Sequence, residues 1–399
     1  MPKNWKTYKL EELTTKLGDG LHGTPKYSSD GDYFFINGNN LTDGRIQIKS
    51  NTKRVNEDQF LKYQKPLNNR TIFISINGTL GNVATYNNEK LVLGKSACYF
   101  NIKENVHKEF IKQYVSTASF KEFLENNATG SVIKNVSLKS MREHNIKLPP
   151  LPEQKAIAKI LSAIDDKIEN NLAINKTLED MAMALYKHWF VDFGPFQDGE
   201  FIDSELGLIP KGWEVKRLDE ISSMSAGGDK PKNFSKERAD GLEIPIYSNG
   251  ISNEGLYGFT DNARIFEESV TVSARGTIGY VCLRMQPYLP IVRLISLVPK
   301  KEYVSSKFLF LCLQNENIQG NGTTQQQLTV PDFKETKIIT PNIDIIKDFN
   351  GIMDIAYNNI VSNKEENQSL TKLRDTLLSK LISGEVRLKE FREKVEQVL

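Results

Sequence analysis

The side chains that could perform catalysis lack, in this sequence, the partners that each kind of chemistry requires. Pro331-Asp332 and Glu335-Thr336-Lys337 resemble the acidic motif of a metal-dependent nuclease, but only two residues separate the acids, which leaves no room for a hairpin between them. Asp192-Phe193-Gly194 resembles a kinase metal-binding triplet, yet no His-Arg-Asp loop or glycine-rich loop accompanies it. The chain contains no GxxxxGK(S/T) phosphate loop, no GxGxxG motif and no Asp-Pro-Pro-Tyr-like methyltransferase motif. We therefore predict no catalytic residues.

Histidines and cysteines are scattered in the same way and form no ligand or nucleophile pattern. They are His22, His107, His144 and His188, with Cys98, Cys282 and Cys312. The absence of a CxxC or Cys/His spacing argues against a zinc site, and an odd number of distant cysteines argues against a disulfide framework. The sequence also has no apolar run of about 20 residues and no apolar stretch at its N-terminus. These features predict a cytoplasmic protein without a metal site.

The composition sets broad limits on the class of protein. A chain of 399 residues exceeds the usual size of a single hydrophobic core, so more than one domain is expected. The net charge of +2 excludes a strongly basic arm or an acidic tail, and it neither requires nor forbids a nucleic-acid partner.

An internal repeat defines the architecture. The first copy contains Pro2-Lys3-Asn4-Trp5, Ser75-Ile76-Asn77-Gly78-Thr79-Leu80-Gly81 and Gly130-Ser131, and the second contains Pro210-Lys211-Gly212-Trp213, Ser273-Ala274-Arg275-Gly276-Thr277-Ile278-Gly279 and Gly322-Thr323. The stretch between the outer landmarks is longer in the first copy than in the second. A constant frame that carries two different sets of loops has this appearance.

Each copy is predicted to be mixed and mainly β. Short β-branched or aromatic runs that end in Gly or Asn turns predict strands at 33–36, 71–76, 244–247 and 269–273. Short helices are expected at 108–124 and 305–314.

A long helix with a heptad seam follows each copy. The first seam is Ile157, Leu161, Ile164, Ile168, Asn171, Asn175, Leu178, Ala182, Leu185 and Trp189, and the second is Phe349, Met353, Ala356, Ile360, Asn363, Asn367, Leu370, Arg374, Leu377 and Leu381. Both seams carry two consecutive asparagines at the same positions, and buried asparagine fixes the register of paired helices.

We expect the two helices to pair antiparallel. A parallel pair would also align the asparagines, but a duplicated chain that closes on itself by a pseudo-two-fold axis requires opposed helices. A helix of about 36 residues would span about 54 Å and would act as a spacer. The alternative is that each helix packs only on the core of its own domain. The predicted fold class is α+β: two mixed, mainly β domains joined by two long helices that form an antiparallel coiled coil.

Four segments resemble the conserved regions of type I restriction-modification specificity subunits. They are Leu148-Pro149-Pro150-Leu151-Pro152-Glu153-Gln154 and its continuation to Ile168, Leu185-Tyr186-Lys187-His188-Trp189-Phe190-Val191-Asp192-Phe193, Gly207-Leu208-Ile209-Pro210-Lys211-Gly212-Trp213, and the stretch from Leu370 to Val386. One departure is that Pro341-Asn342-Ile343 replaces the second Pro-Pro-Leu, without a following Glu-Gln.

The resemblance implies a non-catalytic DNA-binding subunit of a restriction and DNA methylation system. Each globular half would be a target-recognition domain that reads one half of a bipartite, asymmetric double-stranded DNA sequence. The helices would set the spacer and dock two modification subunits, which carry S-adenosylmethionine and methylate adenine after flipping it out. Motor-nuclease subunits, with ATP and Mg²⁺, would join for cleavage, while the chain itself would bind no cofactor. The implied divisions are recognition domains at 1–150 and 193–342, helices at 151–192 and 343–386, and a tail at 387–399.

For DNA contact we predict polar loops at matching places in the two halves. In the first half the candidates are His22, Thr24, Lys26, Tyr27, Asn37, Asn39, Asn77, Thr79, Ser131, Lys134 and Asn135. In the second half they are Lys230, Lys232, Ser248, Asn249, Arg275, Thr277, Thr323, Thr324, Gln325, Gln326 and Gln327. Arg275 suits guanine, the glutamines suit adenine edges, and the lysines suit phosphates. The alternative for every loop is an ordinary solvated turn.

Two other functions stay open at this point. A duplicated scaffold that binds protein instead of DNA would show salt-insensitive partner binding. An enzyme with an unrecognised active site would show turnover by the isolated chain.

Overall fold

The computed structural model describes residues 4–42, 44–130, 132–320 and 327–386. The chain forms two compact units, with boundaries between Asn170 and Asn171 and between Lys364 and Glu365. The first unit combines the N-terminal globular part with the first half of one long helix and the second half of the other. The second unit lies between the two boundaries in sequence. The domain limits predicted above stay a prediction.

The first unit is a mixed, mainly β fold. Its strands are β1 (Lys6–Lys9), β2 (Thr14–Asp19), β3 (Tyr33–Ile36), β4 (Leu41–Thr42), β5 (Arg45–Ile46), β6 (Arg54–Val55), β7 (Thr71–Ser75), β8 (Val83–Thr85), β9 (Leu91–Leu93), β10 (Ala97–Ile102), β11 (Ala128–Thr129), β12 (Asn135–Val136) and β13 (Asn145–Leu148). The principal sheet has the order β2-β10-β7-β8 and is antiparallel. Every residue of β7 and β10 is buried, which explains their continuous apolar runs.

Four short helices complete the globular part of this unit: α1 (Glu57–Tyr63), α2 (Lys108–Val115), α3 (Ala118–Asn126) and α4 (Leu138–Glu143). The single helix predicted at 108–124 is wrong, because α2 and α3 are separate. Thr117 has an extended backbone, and its side chain accepts a hydrogen bond from the backbone N of Phe120 at 3.1 Å. A threonine in this position begins a new helix.

The second unit repeats the frame of the first. Its strands are β14 (Phe201–Ser204), β15 (Gly207–Pro210), β16 (Glu214–Arg217), β17 (Ser222–Ala226), β18 (Ile244–Tyr247), β19 (Leu256–Thr260), β20 (Ser269–Val272), β21 (Val281–Arg284), β22 (Leu289–Pro290), β23 (Ile295–Pro299) and β24 (Lys337–Thr340). Its short helices are α6 (Leu218–Ile221), α7 (Ser306–Asn315) and α8 (Val330–Lys334). The sheet β17-β23-β20-β21 matches β2-β10-β7-β8, and the pair β16-β24 matches β1-β13. The predicted repeat and the strands that begin at Tyr33, Thr71, Ile244 and Ser269 are confirmed.

The helix that follows β13 is α5 (Leu151–Phe190), and the one that follows β24 is α9 (Ile343–Ser383). We call them the first and second long helices. Gln154 anchors the start of the first long helix. Its buried side chain accepts a hydrogen bond from the backbone N of His107 at 2.9 Å and donates one to the carbonyl of Pro149 at 2.7 Å. The second begins differently. Asn342 accepts a hydrogen bond from the backbone N of Ile345 at 3.2 Å, so the departure from the Pro-Pro-Leu pattern supplies a helix cap instead.

Within each unit the two long helices run antiparallel. In the first unit Arg374 binds Asp165 at 3.2 Å, and Asn367 donates to the carbonyl of Ile168 at 3.3 Å. Residue numbers therefore increase along one helix in the direction in which they decrease along the other. In the second unit Asn363 Nδ2 donates to Asn175 Oδ1 at 2.8 Å, and Trp189 packs on Phe349 with ring centroids 5.8 Å apart, which again requires opposed helices. The predicted antiparallel pairing and the asparagine pair are confirmed.

The long helices also contribute to the hydrophobic core of each unit. The first core includes Ile157, Leu161 and Leu381 of the helices, and the second includes Tyr186 and Phe349. Each helix therefore packs on a globular core at its ends and against the other helix along its seam. The predicted coiled coil is therefore confirmed, and the helix ends also contribute to the globular cores.

Two further observations concern the described residues only. All three cysteines are buried and free. No helix in the described part of the chain combines the length and apolar character that crossing a membrane requires.

Candidate nucleic-acid interface

Two loops that are distant in sequence meet in the first unit. Gly78 follows β7 with a backbone φ of +75°, and its N–H donates to the carbonyl of Lys134 at 2.9 Å. Beside this contact, Asn77 Nδ2 donates to Asn135 Oδ1 at 3.1 Å. We call Asn77, Gly78, Lys134 and Asn135 the first junction. The predicted loop 77–79 therefore shares one surface with Lys134 and Asn135 of the other predicted loop.

The second unit has an equivalent contact after β20. Gly276 has a φ of +71°, and the neighbouring Arg275 directs Nε and Nη2 to Gln327 Oε1 at 3.2 and 3.0 Å. We call Arg275, Gly276 and Gln327 the second junction. The guanidinium and the amide are both at the surface, since Arg275 is exposed and Gln327 is half-buried.

The backbone beneath the two junctions is the same. In the first unit the N–H of Val136 donates to the carbonyl of Ile76 at 2.8 Å, and in the second the N–H of Leu328 donates to the carbonyl of Ala274 at 3.0 Å. The repeat therefore conserves the main-chain geometry and changes the side chains that the geometry presents.

Sequence reasoning missed two apolar neighbours of the first junction. Val132 and Ile133 are 92% and 61% exposed, between the predicted contact residues Ser131 and Lys134. Two β-branched residues inside an otherwise polar loop were the available signal. Thr79 and Thr277 are exposed beside the junctions, as the loop assignment requires.

Asn37 and Asn249 are held by protein partners instead of facing solvent. Asn37 Oδ1 accepts from Ser96 Oγ at 2.9 Å. Asn249 Oδ1 accepts from the N–H of Ala274 at 2.7 Å, and its Nδ2 donates to the carbonyl of Val292 at 2.6 Å. These two amides support loops. Ser248 beside Asn249 is half-buried.

The N-terminal loop of the first unit is open to solvent. His22, Thr24 and Lys26 are exposed, and His22 Nε2 lies 2.5 Å from Asp19 Oδ2. Tyr27 packs edge-on against Phe35, with ring centroids 5.8 Å apart.

An open cleft of ≈ 370 Å³ lies beside Tyr27. Its other lining residues are Ser28, Ser29, Ser50, Asn51, Thr52, Lys53 and Arg54. Lys53 and Arg54 were not among the predicted contacts, because their place beside Tyr27 depends on the pairing of β3 with β6. Asn39 is exposed in the same unit, and its carbonyl accepts from Lys49 Nζ at 2.6 Å.

In the second unit two lysines of a surface loop lie against aromatic rings. Lys230 Nζ lies 3.5 Å from the ring centroid of Phe234, and Lys236 Nζ lies 3.8 Å from that of Tyr257. Such cation–π contacts hold a lysine without neutralising it. Lys232, between them in sequence, is exposed.

A buried arginine supports the loop that precedes β19. Arg284 donates through Nη2 to the carbonyl of Glu254 at 2.6 Å and through Nε to Thr271 Oγ1 at 3.0 Å, and its guanidinium lies 3.6 Å from the ring centroid of Tyr247. The carboxylate of Glu254 binds Lys364 of the second long helix at 2.6 Å. The globular part of this unit is thus tied to its helix.

Comparable polar contacts occur elsewhere in each unit. In the first unit Arg45 forms an ion pair with Glu169 of the first long helix. In the second unit Lys307 is buried and binds Glu268 at 2.6 Å and Asp354 at 3.0 Å. Burial alone would raise the pKa of Glu268, but hydrogen bonds from Lys307 and Ser306 outweigh it and lower that pKa.

Burial keeps two titratable side chains, His144 and Tyr280, uncharged at neutral pH. His144 packs on Phe123, with ring centroids 4.0 Å apart, and burial lowers the pKa of His144 to about 4. Burial is also the main cause that raises the pKa of Tyr280 to about 12, below the second junction. Among the residues that the structure describes, no three His, Cys, Asp or Glu side chains come together as metal ligands. The predicted contacts Ser131, Thr323, Thr324, Gln325 and Gln326 lie outside the described residues.

The protein thus has two units with similar folds, and the same backbone geometry at their junctions presents different side chains. A family model described as the type I restriction modification DNA specificity domain matches residues 2–180 and 210–372. The chain therefore belongs to the family of type I restriction-modification specificity subunits, and the resemblance predicted from the sequence is confirmed. Members of this family are non-catalytic components of their complexes, with target-recognition domains that here number two.

Individual relatives agree with the family match. The chain is 27% identical over 427 residues to the type I restriction enzyme MjaIX specificity subunit of Methanocaldococcus jannaschii. That alignment covers 98% of this chain and 95% of the relative. The chain is 30% identical over 284 residues to a putative type I specificity subunit of Mycoplasma pneumoniae, and that alignment covers 70% of this chain and 73% of the relative. The crystal structure of the type I restriction-modification system S subunit from M. genitalium has the same fold, with a TM-score of 0.60 at 19% identity over 95% of this chain and 96% of that one.

Proposed function

We propose that the chain reads a bipartite, asymmetric DNA sequence with its two target-recognition domains and performs no chemistry itself. The observation that carries this proposal is the pair of junctions, in which equal backbone geometry presents Asn77 with Asn135 in one unit and Arg275 with Gln327 in the other. The same backbone geometry with different side chains suits the recognition of two half-sites that differ in sequence.

The exposed loops of each unit supply the proposed DNA contacts. Base edges would meet the two junctions, while phosphates would meet exposed lysines, because an ammonium group neutralises phosphate without reading sequence. The proposed phosphate contacts are Lys26, Lys134, Lys230 and Lys232, with Lys53 and Arg54 added from the cleft beside Tyr27. Asn37 and Asn249 are proposed to support loops, because the amide oxygen of each already accepts a hydrogen bond from the protein.

The long helices would set the spacing of the half-sites and dock two modification subunits. Met181 and Leu373 occupy the same position in the two repeats, and both are exposed, at 62% and 47%. Exposed apolar side chains at equivalent places suit two equivalent partners. In this proposal the modification subunits carry S-adenosylmethionine, and motor-nuclease subunits carry ATP and Mg²⁺. The complex would act in the cytoplasm.

Mapping of methylated adenine in genomic DNA tests the proposal. The full chain would be co-expressed with its modification subunit in a strain that lacks adenine methylation. We expect one bipartite motif with N6-methyladenine on opposite strands of its two halves. Replacement of residues 1–150 by those of another specificity subunit should change one half-site only, and the modification subunit alone should methylate nothing.

Two outcomes would contradict the proposal. A stable complex that methylates no DNA would favour a duplicated scaffold for protein partners. Methylation at a single continuous motif would contradict the assignment of one half-site to each unit.

A further inference from the structure

We propose that each junction reads one base pair with two side chains, of which one contacts the base and the other is a positioning residue. Arg275 and Asn77 would contact bases, and Gln327 and Asn135 would hold them in place. This inference rests on the proposed function, since it names the specificity-determining pair in each domain.

The second junction presents hydrogen-bond donors only. A guanidinium has no acceptor, so the amide oxygen of Gln327 must face it, as the 3.0 and 3.2 Å contacts show. The remaining polar hydrogens belong to Arg275 Nη1, to Arg275 Nη2 and to the amide nitrogen of Gln327. Guanine is the base whose major-groove edge offers two acceptors, N7 and O6, to such a donor pair. We therefore assign a guanine to the half-site of the second unit.

The first junction presents both kinds of group. Asn77 uses one N–H on Asn135 Oδ1, at 3.1 Å, and keeps its own Oδ1 and a second N–H. An amide that offers one donor and one acceptor matches N6 and N7 of adenine. We therefore assign an adenine to the corresponding place in the half-site of the first unit.

The local backbone supports a positioning role for Gln327 and Asn135. Gly78 and Gly276 both adopt positive φ, and a Cβ built on either would meet nothing within 4 Å, so these turns face open space. A long side chain on such a turn has many rotamers, and the cross-loop hydrogen bond selects one before DNA arrives. A contact held in place in advance discriminates better than one ordered only on binding.

Motif mapping with the full chain and its modification subunit tests this pair. Arg275→Ala and Gln327→Ala should each relax the same guanine, in one half-site only, with a loss of discrimination of about ten-fold or more. The double variant should relax the motif no further than Arg275→Ala. Gln327→Glu, which keeps an acceptor for the guanidinium, should retain the guanine even where it lowers total methylation. Asn77→Ala and Asn135→Ala should relax one adenine of the other half-site.

The control is Gln314→Ala, an exposed glutamine at the end of α7, which should leave the motif unchanged. A wild-type complex that methylates no DNA would overturn the proposed function. A methylating complex would overturn the pair alone if Gln327→Ala keeps the motif, if Gln327→Glu relaxes it, or if Arg275→Ala lowers methylation evenly at all sites. The last result would place Arg275 on a phosphate.

Discussion

The asparagine pair between the long helices allows a quantitative test of how the helices hold their register. Asn363 Nδ2 donates to Asn175 Oδ1 at 2.8 Å, and Asn175 Nδ2 approaches the carbonyl of Ile360 at 3.4 Å. Asn175 is buried in this contact. Asn175→Leu removes both hydrogen bonds and leaves the amide of Asn363 facing an apolar side chain.

The expected cost follows from what remains unpaired. A buried donor that loses its partner destabilises a protein by about 1–3 kcal/mol, whereas replacement of both partners by apolar groups is nearly neutral or stabilising. Asn175→Leu should therefore lower the free energy of unfolding by about 1–3 kcal/mol. Asn175→Leu/Asn363→Leu should recover most of that loss, so the effects of the two substitutions should not add.

Urea denaturation of the full chain, followed by the helical circular dichroism signal, measures these differences. Asn359→Leu is a matched control, because Asn359 is an exposed asparagine of the second long helix. It should change stability by no more than about 0.5 kcal/mol. If Asn175→Leu alone is as stable as the double variant, the asparagines do not depend on one another and the argument for register fails.

Three further predictions concern the second core, the first core and the helix surface. Lys307→Met should destabilise the second unit by about 1 kcal/mol in urea denaturation, because Glu268 and Asp354 lose the cation they share while both, at 43% exposure, stay in contact with solvent; an unchanged free energy of unfolding would mean that these ion pairs add nothing to stability. The pKa of His144 is lowered to about 4, from about 6.5 when unfolded, so the unfolded chain binds more protons between these values and stability is lost as pH falls through this window. His144→Phe should remove about 1–2 kcal/mol of that loss after allowance for partial exposure, and an unchanged pH dependence would mean that another group causes it. Met181→Asp and Leu373→Asp should each remove one of two modification subunits from the complex in native mass spectrometry; loss of neither would contradict docking at these positions.

The pairing of the long helices was predictable because its determinants are local. A heptad seam is visible in the sequence, and asparagines at the same seam positions of two helices specify which layers meet. Confirmation came from Asn175 and Asn363, which bond to each other as the seam predicts. The start of the second long helix was less visible, since Asn342 replaces the expected motif with a different cap.

The loops could be located but not assembled from sequence. The repeated Gly-Thr turns identified Asn77 and Arg275, and the second repeated landmark identified the region of Asn135 and Gln327. These regions touch because a distant segment crosses the chain just after β7 in one unit and just after β20 in the other, and no local sequence pattern carries that information. The predicted helix at 108–124 failed for a similar reason, because Thr117 caps a new helix in mid-pattern.

Amide orientation was the other limit of the sequence. Asparagine is an ordinary turn residue whether its side chain faces DNA, solvent or protein. Asn249 sits in a polar loop, like Asn77, yet its amide binds Ala274 and Val292, and so supports the strand end that carries Arg275. Composition alone therefore does not distinguish a side chain that contacts a base from one that supports the contacting side chain.

The junctions explain how a recognition domain could change its target and keep its fold. Main-chain hydrogen bonds fix each crossing, from Val136 to Ile76 in one unit and from Leu328 to Ala274 in the other, and none of them depends on a side chain. Substitution of the two surface side chains therefore costs the sheet nothing, while it replaces one set of donors and acceptors by another. The contact residue and its positioning residue lie on different segments of the chain. A substitution of one without the other therefore leaves the contact side chain without the hydrogen bond that fixes its rotamer. The pair must change together for a new base to be read as strictly as the old one.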